Sequence, residues 1–190
     1  MSEGYKIPHL DIVDRCRKGE RQAQYELYKL YSKAMLNVAY RIVNDVEDAE
    51  DVLQDAFVSA FTHIDSYKAT ATVGSWLKRI VVNKAINHLK RRRLELQPYD
   101  EMGGIADTLA EPEDTDSPEH LSFSMERIRA AVQQLPDGFR VVFSLYLLEG
   151  YDHREIAQIL GITESTSKSQ FNRAKKKLRE ALGTGKEVMV

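Results

Sequence analysis

The stretch DHREIAQILGITESTSKSQFNRAKKKL, from Asp152 to Leu178, constrains the fold most, because it reads as two short helices joined by a glycine turn. In its first half Ile156, Ala157 and Leu160 recur at helical spacing, and Ala157 is small enough to let another helix cross closely. Gly161 supplies the positive φ that a helix C-terminus favours, and Ile162 and Thr163 then offer a staple and an N-cap for the next helix. In that second helix Phe171, Ala174 and Leu178 keep the three-and-four rhythm and face inward. Lys168, Ser169, Asn172, Arg173 and Lys176 are left facing out, a polar and basic set of the kind that meets base edges and phosphates in a major groove. A solvated helix on an ordinary bundle is the plainer alternative; the fit of the small, glycine and aliphatic positions together favours a helix-turn-helix.

The same periodicity runs through the rest of the 190 residues, with glycine and proline scarce outside one region, so the expected fold class is all-α. The composition, 43% hydrophobic and 29% charged, is that of a chain able to bury a core. A single cysteine, Cys16, excludes an internal disulfide and a cysteine-based zinc cluster, and reads as packing. With no targeting peptide or long apolar run, the expected location is cytoplasmic, without membrane insertion.

A formal net charge of -2 conceals segregated blocks. Between Asp45 and Asp65 every ionised side chain is acidic; from Lys78 to Arg93 every one is basic; from Tyr99 to Glu119 all are acidic again. Alternating blocks suggest several partners for one chain.

Ahead of these blocks, Asp11 to Lys18 is a short candidate helix stopped by Gly19, and Glu20 to Val43 a long one. Tyr25, Tyr28, Leu30, Tyr31, Met35, Leu36, Val38, Ala39 and Ile42 give it a broad apolar face assigned to the core. Asn44 and Asp45 offer caps for the next helix, whose inner face repeats as Val46, Ala49, Leu53, Phe57, Ala60 and Ile64. Its outer ribbon carries Asp48, Asp51, Gln54 and Asp55, either a solvated face or a receiver for a basic protein surface. Neither acid-base chemistry nor a calcium site is expected there: exposed helical carboxylates keep ordinary pKa values, and no calcium-loop spacing is present.

After a loop of small and hydroxyl residues with Tyr67 as its aromatic comes SWLKRIVVNKAINHLKRRR. Leu77, Ile80, Val81, Ala85 and Leu89 form its buried side, while Arg79, Asn83, Asn87 and Lys90 line the other, a stripe whose two amides suit base edges, with Arg91, Arg92 and Arg93 for phosphates. A basic helix beside an aromatic-bearing loop also suits single-stranded DNA. Trp76 serves either the core or the DNA face. From Leu96 to Pro118 periodicity disappears among three prolines and a run of acids, which reads as a flexible linker. Two more helices, Leu121 to Leu135 and Phe139 to Leu148, precede the opening stretch, with Val142, Phe143, Leu145, Tyr146 and Leu148 expected to form the core beneath it.

DAEDVLQDAF, WLKRIVVNKAINHLKRRR, LPDGFRVVFSLYLLEGYDHREIAQILGI and RAKKKLREAL, in this order and spacing, resemble the extracytoplasmic-function sigma factors of bacterial RNA polymerase over roughly residues 20 to 183. The resemblance implies a region 2 domain at 1–95, an acidic linker at 96–118 and a four-helix region 4 domain at 119–190. It implies that Asp48, Asp51, Gln54 and Asp55 dock on the coiled coil of the polymerase's largest subunit. Tyr67, Trp76, Arg79, Asn83, Asn87, Lys90 and Arg91 would take and read the melted minus-10 strand. Lys168, Ser169, Gln170, Asn172, Arg173 and Lys176 would read the minus-35 duplex, the linker would thread toward the RNA exit path, and an anti-sigma protein is an implied partner. Three positions depart from the common family pattern, and the minus-35 preference is expected to turn on them: Ser165 replaces a glycine, Ser167 replaces an aliphatic residue that helps seat the reading helix, and Gln170 replaces an arginine.

Two rivals remain in view. A two-domain helix-turn-helix regulator that is not a polymerase subunit would share the C-terminal half but has no reason to carry the acidic helix followed by the basic, Asn-bearing one. An enzyme would need a phosphate loop, a nucleophile motif or a metal cluster; the five histidines are scattered without ligand spacing, and no metal or cofactor is expected.

Overall fold

A computed structural model describes residues 8–96 and 125–182, and the chain divides into two compact units, Met1–Leu94 and Glu95–Val190. Among the described residues every regular element is helical, as the three-and-four periodicity requires, so the fold class is all-α. The expected acidic linker, beyond its first residue, lies outside the described residues, as do the chain to Ile7 and residues 121–124 of the expected fifth helix.

In the first unit α1 (Leu10–Arg17), α2 (Arg21–Val43), α3 (Val46–Thr62) and α4 (Val73–Leu96) surround one core. Gly19, at φ 79°, turns the chain between α1 and α2. Asn44 closes α2 in the left-handed region at φ 59°, and the Asp45 carboxylate accepts the Asp48 amide at 3.0 Å to open α3. Two adjacent residues thus stop one helix and start the next. Ala23, Ala39, Ala49, Ala60 and Ala85 are fully buried, which lets the helices approach closely around Leu27, Ile42 and Leu77. The apolar face expected along α2 is narrower than its sequence suggests: Met35, Val38, Ala39 and Ile42 are buried, whereas Tyr25 and Leu30 are exposed and Tyr28 lies edge-on to Phe57 at the rim. An apolar stripe wider than the contact a neighbour can cover leaves its margins in water.

The second unit contains α5 (Met125–Gln133), α6 (Asp137–Phe143), α7 (His153–Leu160) and α8 (Glu164–Leu182). Ala131, Leu135, Ala174 and Leu178 form its inner cluster, with Phe139 and Phe143 packed against it. The single helix expected over Phe139 to Leu148 divides: after Phe143 it widens into a π turn, Ser144–Leu148, closed by the Glu149 amide on the Ser144 carbonyl at 3.0 Å. A π turn inserts a residue and rotates the side chains beyond it, so Leu145 is buried like Val142 before it, Leu148 faces out, and Tyr146 lies at the rim with its ring against His153 and Phe171. The Ser144 hydroxyl, fully buried in this turn, meets no hydrogen-bond partner among the described residues.

Candidate nucleic-acid and partner-binding faces

The three faces singled out by charge and amide content rest on α3, α4 and α8. On α3, Asp51, Gln54 and Asp55 are exposed on one ribbon. Asp48 differs. Its side chain is 25% exposed, accepts Arg92 Nη1 at 2.9 Å and lies 3.0 Å from His88 Nε2. His88 and Arg92, one helical turn apart on α4, close on a carboxylate in the first turn of α3, so Asp48 ties two helices together and is not presented as part of a free acidic surface. Arg92, expected to anchor phosphates, is thus engaged with Asp48 in this structure.

α4 begins where Thr72 Oγ1 accepts the Ser75 amide at 3.2 Å, two residues before the serine expected to open it. Leu77, Val81, Ala85 and Leu89 are buried, and Arg79, Asn83, Asn87, Lys90 and Arg91 are exposed, so the expected basic and amide stripe exists as a continuous surface. Trp76, half-buried, has its ring 5.2 Å from that of Tyr67.

Tyr67, expected among the residues that take the minus-10 strand, lies inside its loop. It is 3% exposed, and its hydroxyl donates to the Ala71 carbonyl at 2.6 Å. A loop of small residues has little apolar surface with which to order itself, and the one large ring is drawn inside to close it, with Ile64 buried in the preceding 3-10 turn (Ile64–Ser66). The ring is therefore not offered for stacking on a base. Arg17 of α1, which sequence reasoning did not single out, holds the loop from below: its guanidinium donates to the Tyr67 carbonyl and pairs with Asp14 at 2.8 Å. A partner 50 residues away leaves no periodic trace.

On the second unit, Asp152 and Glu155 form a reciprocal capping box at the start of α7, with bonds of 2.8 and 3.0 Å. Gly161 ends the helix at φ 73°, and Thr163 Oγ1 accepts the Thr166 amide at 3.1 Å to start α8. These are the turn and cap that the sequence indicates. Lys168, Asn172 and Lys176 are exposed along α8, with Ser169 and Arg173 half-buried beside them. Lys168 pairs with Glu164 at 2.9 Å and holds that carboxyl below its usual range, which offsets a negative charge at the start of α8.

Gln170, expected on this face, is half-buried at its inner edge. It lies in register with the buried Ser167 and Ala174, and its amide packs where a side chain on Gly138 of α6 would stand, 3.6 Å from that Cβ position. Ser167, fully buried, has its Oγ 2.9 Å from Nδ1 of His153, the first residue of α7. The His153 ring stacks on Tyr146 at 4.4 Å and meets Phe171 edge-on at 5.7 Å. Burial, followed by the nearby Lys168 ammonium, lowers the His153 pKa from its usual value and favours the neutral ring. Neither His153 nor its link to Ser167 was visible as a site residue from the sequence.

No group of acidic, histidine and cysteine side chains among the described residues could hold a metal ion, and no described helix is long and apolar enough to cross a membrane.

The chain matches the Sigma-70 region 2 family over residues 27–95 and the Sigma-70 region 4 family over residues 125–178. The ECF RNA polymerase sigma factor SigM of Mycobacterium tuberculosis is 31% identical over 166 residues, covering 87% of this chain and 80% of that protein. The ECF RNA polymerase sigma-E factor of Escherichia coli is 30% identical over 173 residues, 86% of this chain and 88% of its own. Among solved structures, the Bartonella quintana sigma factor RpoE, in complex with the anti-sigma factor NepR, is similar with a TM-score of 0.56 at 22% identity, over 85% of this chain and 98% of that one. CnrH, in complex with the cytosolic domain of CnrY, gives 0.52 at 22% identity, over 92% and 97%. At such identity the likeness to both structures concerns the fold.

Proposed function

The chain belongs to the extracytoplasmic-function family of RNA polymerase sigma factors, and on that premise we propose how its faces divide the work of starting transcription. The region 2 domain, 1–95, docks on core polymerase through Asp51, Gln54 and Asp55 and takes the melted minus-10 strand on the α4 face of Arg79, Asn83, Asn87, Lys90 and Arg91. Trp76 stands at the edge of that face, and Tyr67 supports it from inside the loop. The region 4 domain, 119–190, reads the minus-35 duplex with Lys168, Ser169, Asn172, Arg173 and Lys176. The acidic segment 96–118 joins them and competes for basic surface along the RNA exit path.

The observation that carries this reading is the pairing, within one small unit, of an exposed acidic ribbon on α3 with an exposed basic and amide stripe on α4. A duplex-binding regulator has use for the α8 face alone. A protein that grips polymerase with one helix and separated strand with the next has use for all three. Binding energy from the duplex and from core then offsets the cost of opening DNA, about a few kcal/mol per flipped base. The chain itself carries recognition, in the cytoplasm, and polymerase supplies the chemistry. An anti-sigma protein that covers one or more of these faces belongs to the same reading.

Reconstitution tests it. Core polymerase supplied with this chain is expected to initiate at discrete sites on genomic fragments. Asp51→Lys with Asp55→Lys should weaken core binding about tenfold, since each reversal opposes docking by roughly 0.7 kcal/mol at a salt-screened surface. A chain that neither binds core nor starts transcription on any fragment sinks the reading, and unchanged affinity of the double variant leaves the acidic ribbon merely solvated.

A further inference from the structure

The inward row of α8 is Ser167, Phe171, Ala174 and Leu178, and its first member is a hydroxyl in a fully buried position. An apolar seam between two helices resists separation but tolerates small slides and rotations, because dispersion contacts have no preferred direction. A hydrogen bond does have one, and it weakens steeply when bent. Ser167 Oγ and His153 Nδ1, 2.9 Å apart, make such a bond at the head of this seam.

His153 is a well-anchored partner. The capping box of Asp152 and Glu155 fixes the backbone of α7 at its first residues, and the ring is stacked on Tyr146, which the π turn after α6 brings outward. The chain of contacts runs from the π turn through Tyr146 and His153 to Ser167. Next to Ser167 on the same turn of α8 stand Lys168 and Ser169, on the face assigned to base edges. A change in the seat of Ser167 is therefore passed directly to the residues that meet DNA, where a shift of a fraction of an ångström decides whether a side chain reaches a given base.

We propose that the His153–Ser167 hydrogen bond is a specificity-determining positioning contact: it sets the rotation and tilt of α8 on α7 and thereby the base preference of this protein at the minus-35 element. The inference rests on the minus-35 reading of α8 given above. Neither residue touches DNA; both act through the backbone of α8. A contact of this kind is expected to govern which sequences are preferred far more than how tightly duplex DNA is held, since the phosphate contacts made by lysines are tolerant of small shifts.

The test uses holoenzyme assembled from core polymerase and the full chain, transcribing a template library randomised over the minus-35 positions, with the transcripts sequenced. Ser167→Ala removes the hydroxyl without adding bulk, and His153→Phe keeps a ring against Tyr146 while removing the nitrogen. Each is expected to change the preference ratio at one or more minus-35 positions by about fivefold, a part of what one good base contact contributes. The double variant should show the same profile as either single one, because one bond has been broken in all three. Melting of each variant is followed alongside, so that a loss of folded protein is separated from a change of profile.

A profile that is unchanged, a loss that is equal on every template, or effects of the two substitutions that add independently would each overturn the positioning role. A wild-type holoenzyme with no minus-35 preference at all would take down the function reading together with this inference. A wild-type preference that survives both substitutions overturns the inference alone.

Discussion

The two helices proposed to read DNA are seated in different ways. α4 in the first unit packs inward through its own Leu77, Val81, Val82, Ala85, Ile86 and Leu89, all nearly or fully buried, and is clamped to α3 by the exposed-edge pairing of Asp48 with His88 and Arg92. α8 in the second unit packs through Ala174 and Leu178 against Ala131 and Leu135, and its N-terminal half carries a polar contact under a stack of rings. Several interchangeable apolar contacts define the first seat, so no single one decides its geometry. In the second, a few directional contacts do. Capture of separated strand tolerates a broad basic surface, whereas base readout in a duplex requires fixed side-chain positions. The unit with the more delicate seat is the one to which the proposal gives the more exacting task.

The largest effects should come from emptying the two cores. Leu77→Ala and Ile156→Ala each remove a fully buried branched side chain and should cost about 2–5 kcal/mol. Where the loss is felt separates the two seats more sharply than its size. Because Leu77 and Ile156 belong to different compact units, each substitution should loosen the helices of its own unit. Hydrogen exchange of the full chain reads this directly: Leu77→Ala should lower protection in α2, α3 and α4, and Ile156→Ala in α6, α7 and α8. Loss of protection in all helices by either variant would break the picture of two separately cored units.

Two buried serines in the second unit separate a satisfied polar group from an unsatisfied one. Ser144 Oγ meets no partner among the described residues, whereas Ser167 Oγ meets His153. Deleting the first hydroxyl removes a desolvation cost, and deleting the second strands a half-buried imidazole nitrogen. Ser144→Ala should therefore stabilise the second unit by about 1 kcal/mol and Ser167→Ala destabilise it by a similar amount. Urea denaturation of the full chain, followed by signals from the second unit, checks the opposite signs. Equal signs would mean that the hydrogen bond carries no weight in the seat.

Periodicity made the helices and their inward rows legible. Gly19, Gly161, Asp45 and Thr163 act as the stops and caps their types suggest, because a cap is a local event within one turn. The exposed residues of the α4 stripe obey the same rhythm. The features that stayed hidden are not periodic. Asp48 reaches Arg92 across 44 residues, and the sequence marks the pair only by the one-turn spacing of His88 and Arg92 beside an otherwise separate stripe. Tyr67 lies in a loop, where no rhythm tells inside from outside. Leu148 is assigned to the core by a 3.6-residue repeat that the π turn interrupts, and Tyr146 only reaches its rim. Gln170 is assigned by resemblance to a position that carries arginine elsewhere; by spacing from Ala174 and Ser167 it belongs to the inner edge, where the structure has it.

The smallest expected effect tests that last placement. A Cβ added at Gly138 would stand 3.6 Å from Gln170 Oε1 and 3.7 Å from Nε2, ordinary contact distances, and the glycine has no positive φ that an alanine would strain. Alanine is the better helix former, although in the first turn of α6 its advantage over glycine is below the roughly 1 kcal/mol of a helix interior. Gly138→Ala should thus stabilise the second unit by about 0.5 kcal/mol, with the minus-35 profile unchanged, because Gln170 serves packing and the reading face lies elsewhere on α8. Denaturant titration of the full chain reads the first expectation and the randomised-template profile the second. A shifted profile would show that the Gln170 amide, pushed by the added methyl, does reach DNA, and would return this residue to the set that contacts bases. A destabilisation above about 1 kcal/mol would instead show that the amide is packed tightly enough to make the α6 contact a second directional element in the seat of α8.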